Sequence, residues 1–260
     1  MADLVEKAGG KAVSMRNGVE ISHKSSPEDK VTAADLAIST LLCEGLAKKF
    51  PSDAIISEED ASHVFDAVNP RLWLIDPIDG TQNYIAGDGE YCVMVGLLVN
   101  LEASFGWIYA PHTGLSYYGG PNYGAFRRQG KTVKAFDRLP PLTLSEPARV
   151  VMGARDRRVN PWIKELSNVT LLKTGSIGLK VARILEGEAD LFAHLGGKLK
   201  TWDTAGPAAL ALGAGMDVGQ LDCEKLLFPL PEIKQETSVI MGRKGALEWC
   251  REHLREPYAK

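Results

Sequence analysis

Asp76 and Asp79 stand three positions apart at the end of an apolar run, in Trp73-Leu74-Ile75-Asp76-Pro77-Ile78-Asp79-Gly80-Thr81-Gln82-Asn83. Pro77 fixes its own φ and has no N–H to give a partner strand, so the strand is predicted to stop here. The tight turn could aim both carboxylates, and the Ile78 carbonyl, at one point. Two carboxylates held that close repel each other unless a cation lies between them. Oxygen donors with no His or Cys nearby suit a hard ion, Mg2+ before Zn2+. The same stretch also reads as an ordinary Asx-type turn with solvated aspartates.

Further acids bear on that choice. Glu58-Glu59-Asp60 ends another predicted strand, and neighbouring strands of one sheet bring their ends together. Asp203, in Lys200-Thr201-Trp202-Asp203-Thr204-Ala205-Gly206-Pro207, opens a predicted helix, where capping alone would justify an aspartate. Gly80 lets a ligand approach the backbone closely. Thr81 can begin a short helix whose free N–H groups attract an anion. A carboxylate-held Mg2+ beside such a helix start is equipment for phosphate chemistry.

The elements that must position these residues follow from periodicity and punctuation. Apolar residues Ala34, Ile38, Leu41, Leu42 and Leu46 recur at helical spacing over 33–49, and Lys48-Lys49 closes that helix before Phe50-Pro51. Short strands are predicted at 54–57 and 72–75. Hairpin-like strands follow at 91–99, 103–110, 115–118 and 124–127. Leu139-Pro140-Pro141-Leu142 is the candidate boundary. Beyond it the pattern alternates: strands at 149–153, 170–173, 189–193 and 238–241, and helices at 161–166, 178–186 and 204–214. The division is thus 1–140, an α+β half with an antiparallel sheet and the first metal motifs, and 141–260, an α/β half carrying Trp202-Asp203.

Composition narrows the classes. At 260 residues, 45% hydrophobic and 24% charged, the chain can bury one large core or two small ones. No apolar stretch approaches the roughly 20 residues of a membrane helix, and the N-terminus lacks a signal-peptide apolar region. A net charge of -3 without a long basic run does not advertise nucleic acid as a partner. Cys43, Cys92, Cys223 and Cys250 are widely spaced, and Cys43 and Cys92 read as buried thiols. The expectation is a cytoplasmic protein without disulfides or a membrane association.

Five segments in order resemble the inositol monophosphatase superfamily, Mg2+-dependent, lithium-sensitive phosphatases that include 3'(2'),5'-bisphosphate nucleotidases. Lys24-Ser25-Ser26-Pro27 with Val31-Thr32-Ala33-Ala34-Asp35 is similar to the N-terminal region, and Ser57-Glu58-Glu59 to the acidic motif. Asp76 to Thr81 with Asn83, and Trp202-Asp203-x-Ala205-Gly206, resemble the two signatures. Gly187-Glu188-Ala189-Asp190 resembles a further segment. The resemblance implies a layered α-β-α-β-α sandwich of α+β class, as in fructose-1,6-bisphosphatase. It implies two or three Mg2+ ions, with Glu58, Asp76 and the Ile78 carbonyl on the first and Asp76, Asp79 and Asp203 on the second. Glu58 and Thr81 would activate and orient the attacking water. Asp35 would join through a third metal or its water, and the Gly80 and Thr81 amides would bind phosphate. The protein is expected to be a homodimer acting on a small-molecule phosphate ester.

Which ester is read from less. Sugar-cyclitol members usually carry a glutamate about seven residues before the second-signature aspartate, whereas this chain has Leu195-Gly196-Gly197-Lys198-Leu199-Lys200. Lys198 and Lys200 would suit a second phosphate; they also read as solvated loop lysines. Pro207 resembles the version of the second signature found in bisphosphate nucleotidases, and a proline is compatible with a first helical turn. The segment from Val150 through Arg155, Asp156, Arg157 and Arg158 resembles one in bacterial nucleotidases, without its histidine. Gly175-Ser176-Ile177-Gly178-Leu179-Lys180 is similar in part to the segment after it. Arg155, Arg157 and Ser176 are therefore further candidate substrate contacts. The favoured substrate is 3'-phosphoadenosine 5'-phosphate, with inositol 1-phosphate as the rival; fructose 1,6-bisphosphate and a regulatory binding role are more remote.

Overall fold

Two antiparallel helices cover one side of the molecule. In the computed structural model, which describes residues 1–16, 21–23, 30–60, 70–228 and 233–254, the chain begins with helix α1 (Ala2–Met15). A small hairpin, β1 (Ile21–His23) and β2 (Lys30–Thr32), leads into α2 (Ala33–Lys49). The segment Lys24-Ser25-Ser26-Pro27 lies outside the described residues. Then come β3 (Ala54–Ser57), β4 (Arg71–Asp79), the short helix α3 (Thr81–Ala86), and the strands β5 (Cys92–Val99), β6 (Glu102–Ala110), β7 (Leu115–Gly120), β8 (Gly124–Gln129) and β9 (Thr132–Ala135). These strands form a seven-stranded sheet in sequence order, antiparallel except where β3 runs parallel to β4.

The remaining chain builds a second sheet. Its elements are β10 (Ala148–Met152), α4 (Ala154–Val159), a 3-10 turn at Pro161–Glu165, β11 (Val169–Lys173), α5 (Ile177–Leu185), β12 (Leu191–His194), β13 (Leu199–Lys200), α6 (Thr201–Gly213), β14 (Asp217–Gly219), β15 (Lys234–Gln235), β16 (Val239–Gly242) and α7 (Ala246–His253). The five-stranded sheet has the order β11-β10-β12-β16-β14, and β13 pairs with β15 apart from it.

Alternation along β4 explains the layering. Trp73 and Ile75 pack among α1 and α2 residues such as Val5, Ile38 and Leu42, while Leu72 and Leu74 face α5 and α6 through Val181 and Ala205. On the far side of the second sheet, Val150, Leu191 and Ile240 pack against Ile163 and Trp249. The result is helices, sheet, helices, sheet, helices: the α+β layered sandwich expected of this chain. One hydrophobic cluster joins Leu74 and Met94 of the first sheet with Val151 and Phe192 of the second, through α5 and α6.

Three readings of the sequence change. The strand does not stop at Pro77: β4 runs on to Asp79. Asp76 pairs with Met94 and Asp79 with Cys92, so β4 spends one residue more than β5, a bulge that absorbs the missing proline donor. Asp203 does not open α6, because the helix starts at Thr201 and Asp203 is its third residue. Pro207 consequently sits inside the helix, where it cannot donate to the carbonyl four residues back. Cys43 is only partly buried, whereas Cys92 and Cys250 are buried; all four thiols are unpaired.

Candidate active site

The acids converge through three local devices. The first is the parallel pairing of β3 and β4, extended by a hydrogen bond from the Glu58 amide to the Ile75 carbonyl at 3.0 Å, which sets Glu58 beside the end of β4. The second is the bulge, which leaves Asp76 and Asp79 both buried and close in space. The third is a glycine contact between α6 and the first sheet. A Cβ on Gly106 would overlap the Gly206 carbonyl oxygen, and one on Gly96 would stand 2.6 Å from the Gly206 nitrogen. Bare backbones therefore meet, and α6 comes near enough to deliver Asp203 to the same region.

Each acid has a distinct environment. Asp76 is 2% exposed, and its Oδ1 is buried without a hydrogen-bond partner. Burial, and then the charges of Glu58, Asp79, Asp203 and Asp35, push its pKa well above the usual carboxylate range. Asp203 is likewise raised well above it, by burial first and then by Glu58, while its Oδ2 accepts from the Lys200 amide at 2.6 Å. Asp79 is raised by burial, against the opposing pull of Lys180 and of the donors on its Oδ2: Ser176 Oγ at 2.6 Å and the Gly178 amide at 2.8 Å. Asp35, third residue of α2, accepts from the Thr32 amide at 2.8 Å and so completes a capping box with Thr32.

Gly80 has a left-handed φ of 96°, and a Cβ there would stand 2.9 Å from the Glu90 carbonyl oxygen, which explains the glycine. Thr81 starts α3 and donates its hydroxyl to the Ile78 carbonyl at 3.1 Å, placing the two groups together. Ser176 lies beside Gly80 but has other work: fully buried, it caps α5 by accepting from the Leu179 amide and donates to Asp79. It positions a carboxylate instead of facing solvent. Arg155 is exposed on α4. Arg157 is half-buried, and its Nη1 is buried without a hydrogen-bond partner. Lys198 and Lys200 lie on the stretch between β12 and α6, Lys198 exposed and Lys200 half-buried.

Some participants were not singled out from sequence. Lys180 is 3% exposed; its Nζ donates to the Gly175 carbonyl at 3.1 Å and sits 5.2 Å from the centre of the Phe192 ring. Burial lowers its pKa, while the charges of Asp79, Asp156 and Asp203 act to keep it protonated. It is the internal cation of the carboxylate group. The available signal was a lysine on the apolar face of α5, at helical spacing from Ile177 and Ile184. Asp156 and His194 form a second buried pair, Nδ1 to Oδ2 at 2.7 Å, and Asp156 also accepts from the Leu195 amide. This pair ties α4 to the stretch that carries Lys198 and Lys200.

The chemistry of the donor set fits a hard cation. Asp76 offers an unpartnered buried oxygen, and the mutual repulsion of four neighbouring carboxylates favours a positive charge among them. Among the described residues, however, no three Asp, Glu, His or Cys side chains form a closed ligand shell as they stand. One oxygen each of Asp35, Asp79 and Asp203 is already held by the scaffold. The fit is therefore one of charge and donor type, with side-chain adjustment still required to close a shell.

Comparison with known proteins identifies the family. The model for the inositol monophosphatase family matches residues 3–256. The 3'(2'),5'-bisphosphate nucleotidase CysQ of Salmonella typhimurium is 30% identical over 224 residues, covering 84% of this chain and 88% of that protein. Inositol monophosphatase 1 of Bos taurus is 29% identical over 214 residues, covering 77% and 74%. The inositol monophosphatase structure from Anabaena superposes with a TM-score of 0.78 at 25% identity, over 99% of this chain and 95% of that one. The chain belongs to the inositol monophosphatase family, and it is a phosphatase.

Proposed function

We propose that this phosphatase is a Mg2+-dependent phosphomonoesterase whose preferred substrate is 3'-phosphoadenosine 5'-phosphate, hydrolysed to AMP and phosphate. The observation that carries the metal part is the unpartnered Asp76 Oδ1 within a group of buried, mutually repelling acids. Glu58, Asp76 and the Ile78 carbonyl would hold one ion; Asp76, Asp79 and Asp203 would hold a second; Asp35 would serve a third or its water. Bound Mg2+ would neutralise phosphoryl oxygens, ease deprotonation of water and stabilise the leaving alkoxide. Glu58 and the Thr81 hydroxyl orient the water that attacks phosphorus, and the backbone at Gly80 and Thr81 holds the phosphoryl group. The ester P–O bond breaks, and the released 3'-oxygen leaves as a hydroxyl.

The choice of a bisphosphorylated nucleotide is supported by the likeness to the Salmonella nucleotidase and by the cationic residues of α4 and of the stretch before α6. The likeness to a mammalian inositol monophosphatase supports the alternative, inositol 1-phosphate. Phosphate release should decide. With Mg2+, the nucleotide should exceed inositol 1-phosphate in kcat/KM by at least about tenfold. Equal or better hydrolysis of inositol 1-phosphate would overturn the nucleotidase reading. Lithium inhibition, a homodimer and a cytoplasmic location belong to the same proposal; millimolar lithium in that assay, light scattering of the purified protein and cell fractionation test them in turn. Among the described residues, no helix is long and apolar enough to cross a membrane.

A further inference from the structure

We propose that the cavity between α4 and β11 is an anion subsite that takes the phosphoryl group which is not hydrolysed, held by Arg157, Arg158, Lys164 and Lys173. The inference rests on the reading above, that the substrate carries two phosphates. It moves the second one away from Lys198, Lys200 and Arg155.

The cavity has a volume of 610 Å³, within the roughly 300–1,000 Å³ of small-molecule sites. Its lining is one-sided in charge. Those four cations surround Ala154, Pro161 and Leu171, and no carboxylate contributes. None of the four makes an ion pair with a described residue. Arg157 is half-buried in this wall: its Nη1 is shielded from solvent without a hydrogen-bond partner, while its accessible part lines the cavity. A guanidinium with no carboxylate beside it can meet a phosphate oxygen through that accessible edge by a charge-assisted bond. The remaining surface, Ala154, Pro161 and Leu171, can lie against the body of a nucleoside.

The cavity is also connected to the chemistry. Ala154, Arg157 and Lys173 line a neighbouring cavity of 490 Å³ that extends to Gln82, Asn83 and Gly175. Gln82 and Asn83 follow Thr81, and Gly175 precedes the Ser176 that holds Asp79. One continuous depression thus runs from the start of α3 to the four cations. Asp88 and Glu90 line the near end: Asp88 accepts from the neutral Asn83 amide at 2.7 Å and keeps its charge uncompensated among the described residues, while Glu90 pairs through one oxygen with Arg183 at 3.0 Å and has its other oxygen buried without a partner. They make the near end unfavourable for a free anion and leave the far end as its place. A third cavity, between β7 and α5, contrasts with this one. Its arginines are already neutralised, Arg127 by Glu186 and Arg183 by Glu90 and Glu188.

The test uses the whole protein and two readouts. In the first, kcat/KM is measured for adenosine 3',5'-bisphosphate and adenosine 3'-monophosphate. The wild type should prefer the bisphosphate, and Arg157→Gln, Lys173→Ala and the double variant Arg158→Glu/Lys164→Glu should each shrink the ratio by about tenfold or more, chiefly through KM. The effect of the exposed double variant should weaken in high salt. In the second, adenosine 5'-monophosphate, which carries only the group assigned to the cavity, is titrated calorimetrically. Wild type should bind it, and the same variants should bind it at least about tenfold more weakly. An unchanged ratio, or nucleotide binding indifferent to all these substitutions, overturns the subsite. If the wild type hydrolyses neither ester yet binds the monophosphate through Arg157 and Lys173, the subsite stands and the substrate reading falls. Arg158 and Lys164 are exposed, so the double variant tests the cavity even if Arg157→Gln fails to fold.

Discussion

Asp76 shows most plainly that this site was built for charge and not for stability. A buried carboxylate oxygen without a donor, beside further acids, opposes folding unless a cation compensates. In chelator at neutral pH, Asp76→Asn should therefore melt higher than the wild type, while the rise in melting temperature that Mg2+ gives the wild type should shrink or vanish. Scanning calorimetry with and without Mg2+ checks both; a wild-type melting temperature indifferent to Mg2+ would mean that the acids only cap and turn the chain. Thr81 is a second case. Its hydroxyl touches the Ile78 carbonyl, so it is either a water-orienting group or a fastener of the turn. Thr81→Ala should lower kcat much more than it raises KM; a loss confined to roughly a kcal/mol of stability would favour the fastener. The acids were legible in the sequence because few structural needs put so many carboxylates after apolar runs. Ser176 and Lys180 were not, since a serine or lysine in a segment does not reveal whether it faces solvent or a buried carboxylate. Only packing shows that Ser176 Oγ is committed to Asp79 and that Lys180 lies under Phe192.

At the level of elements, α6 matters most, since it carries Asp203 from the second half of the chain to the end of β4. Its approach depends on Gly96, Gly106 and Gly206. Gly106→Ala must displace backbone, because its Cβ would meet the Gly206 carbonyl; it should cost about 1–3 kcal/mol of stability and lower activity as Asp203 moves. Urea unfolding and phosphate release on one preparation check this, and wild-type values for both would show that α6 tolerates the shift. Helix α2 was readable from the four-residue spacing of Ala34, Ile38, Leu42 and Leu46, and the strands from short apolar runs closed by Gly, Pro and Asn. The bulge at Pro77 was not: a proline signals a missing donor, and whether a strand stops or bulges depends on the partner strand. Helix α1 was not among the elements read from the sequence, and Gly9-Gly10 lies in its interior. Gly9 is required because the Tyr109 ring lies where its Cβ would be. The start of α6 at Thr201 was hidden by the short strand β13, which runs directly into it.

Across the whole molecule, the acids come together only because two sheets share helices. Asp76 and Asp79 end a strand of the first sheet, Glu58 follows its parallel neighbour, and Asp203 arrives on the helix layer between the sheets. The layered architecture was implied by family resemblance more than by residue patterning, because periodicity cannot tell which helices lie between two sheets. Asp79 is the residue on which these parts meet: it lies in β4, is held by the start of α5, and senses Lys180. Mg2+-dependent phosphate release by Asp79→Asn, compared with wild type, is thus the most direct measurement. The side chain keeps its shape and loses its charge. The variant should remain folded and lose at least about 3 kcal/mol of transition-state stabilisation, a fall of roughly a hundredfold or more in kcat/KM. Turnover near that of the wild type would contradict the assignment of the acids to metal-assisted hydrolysis.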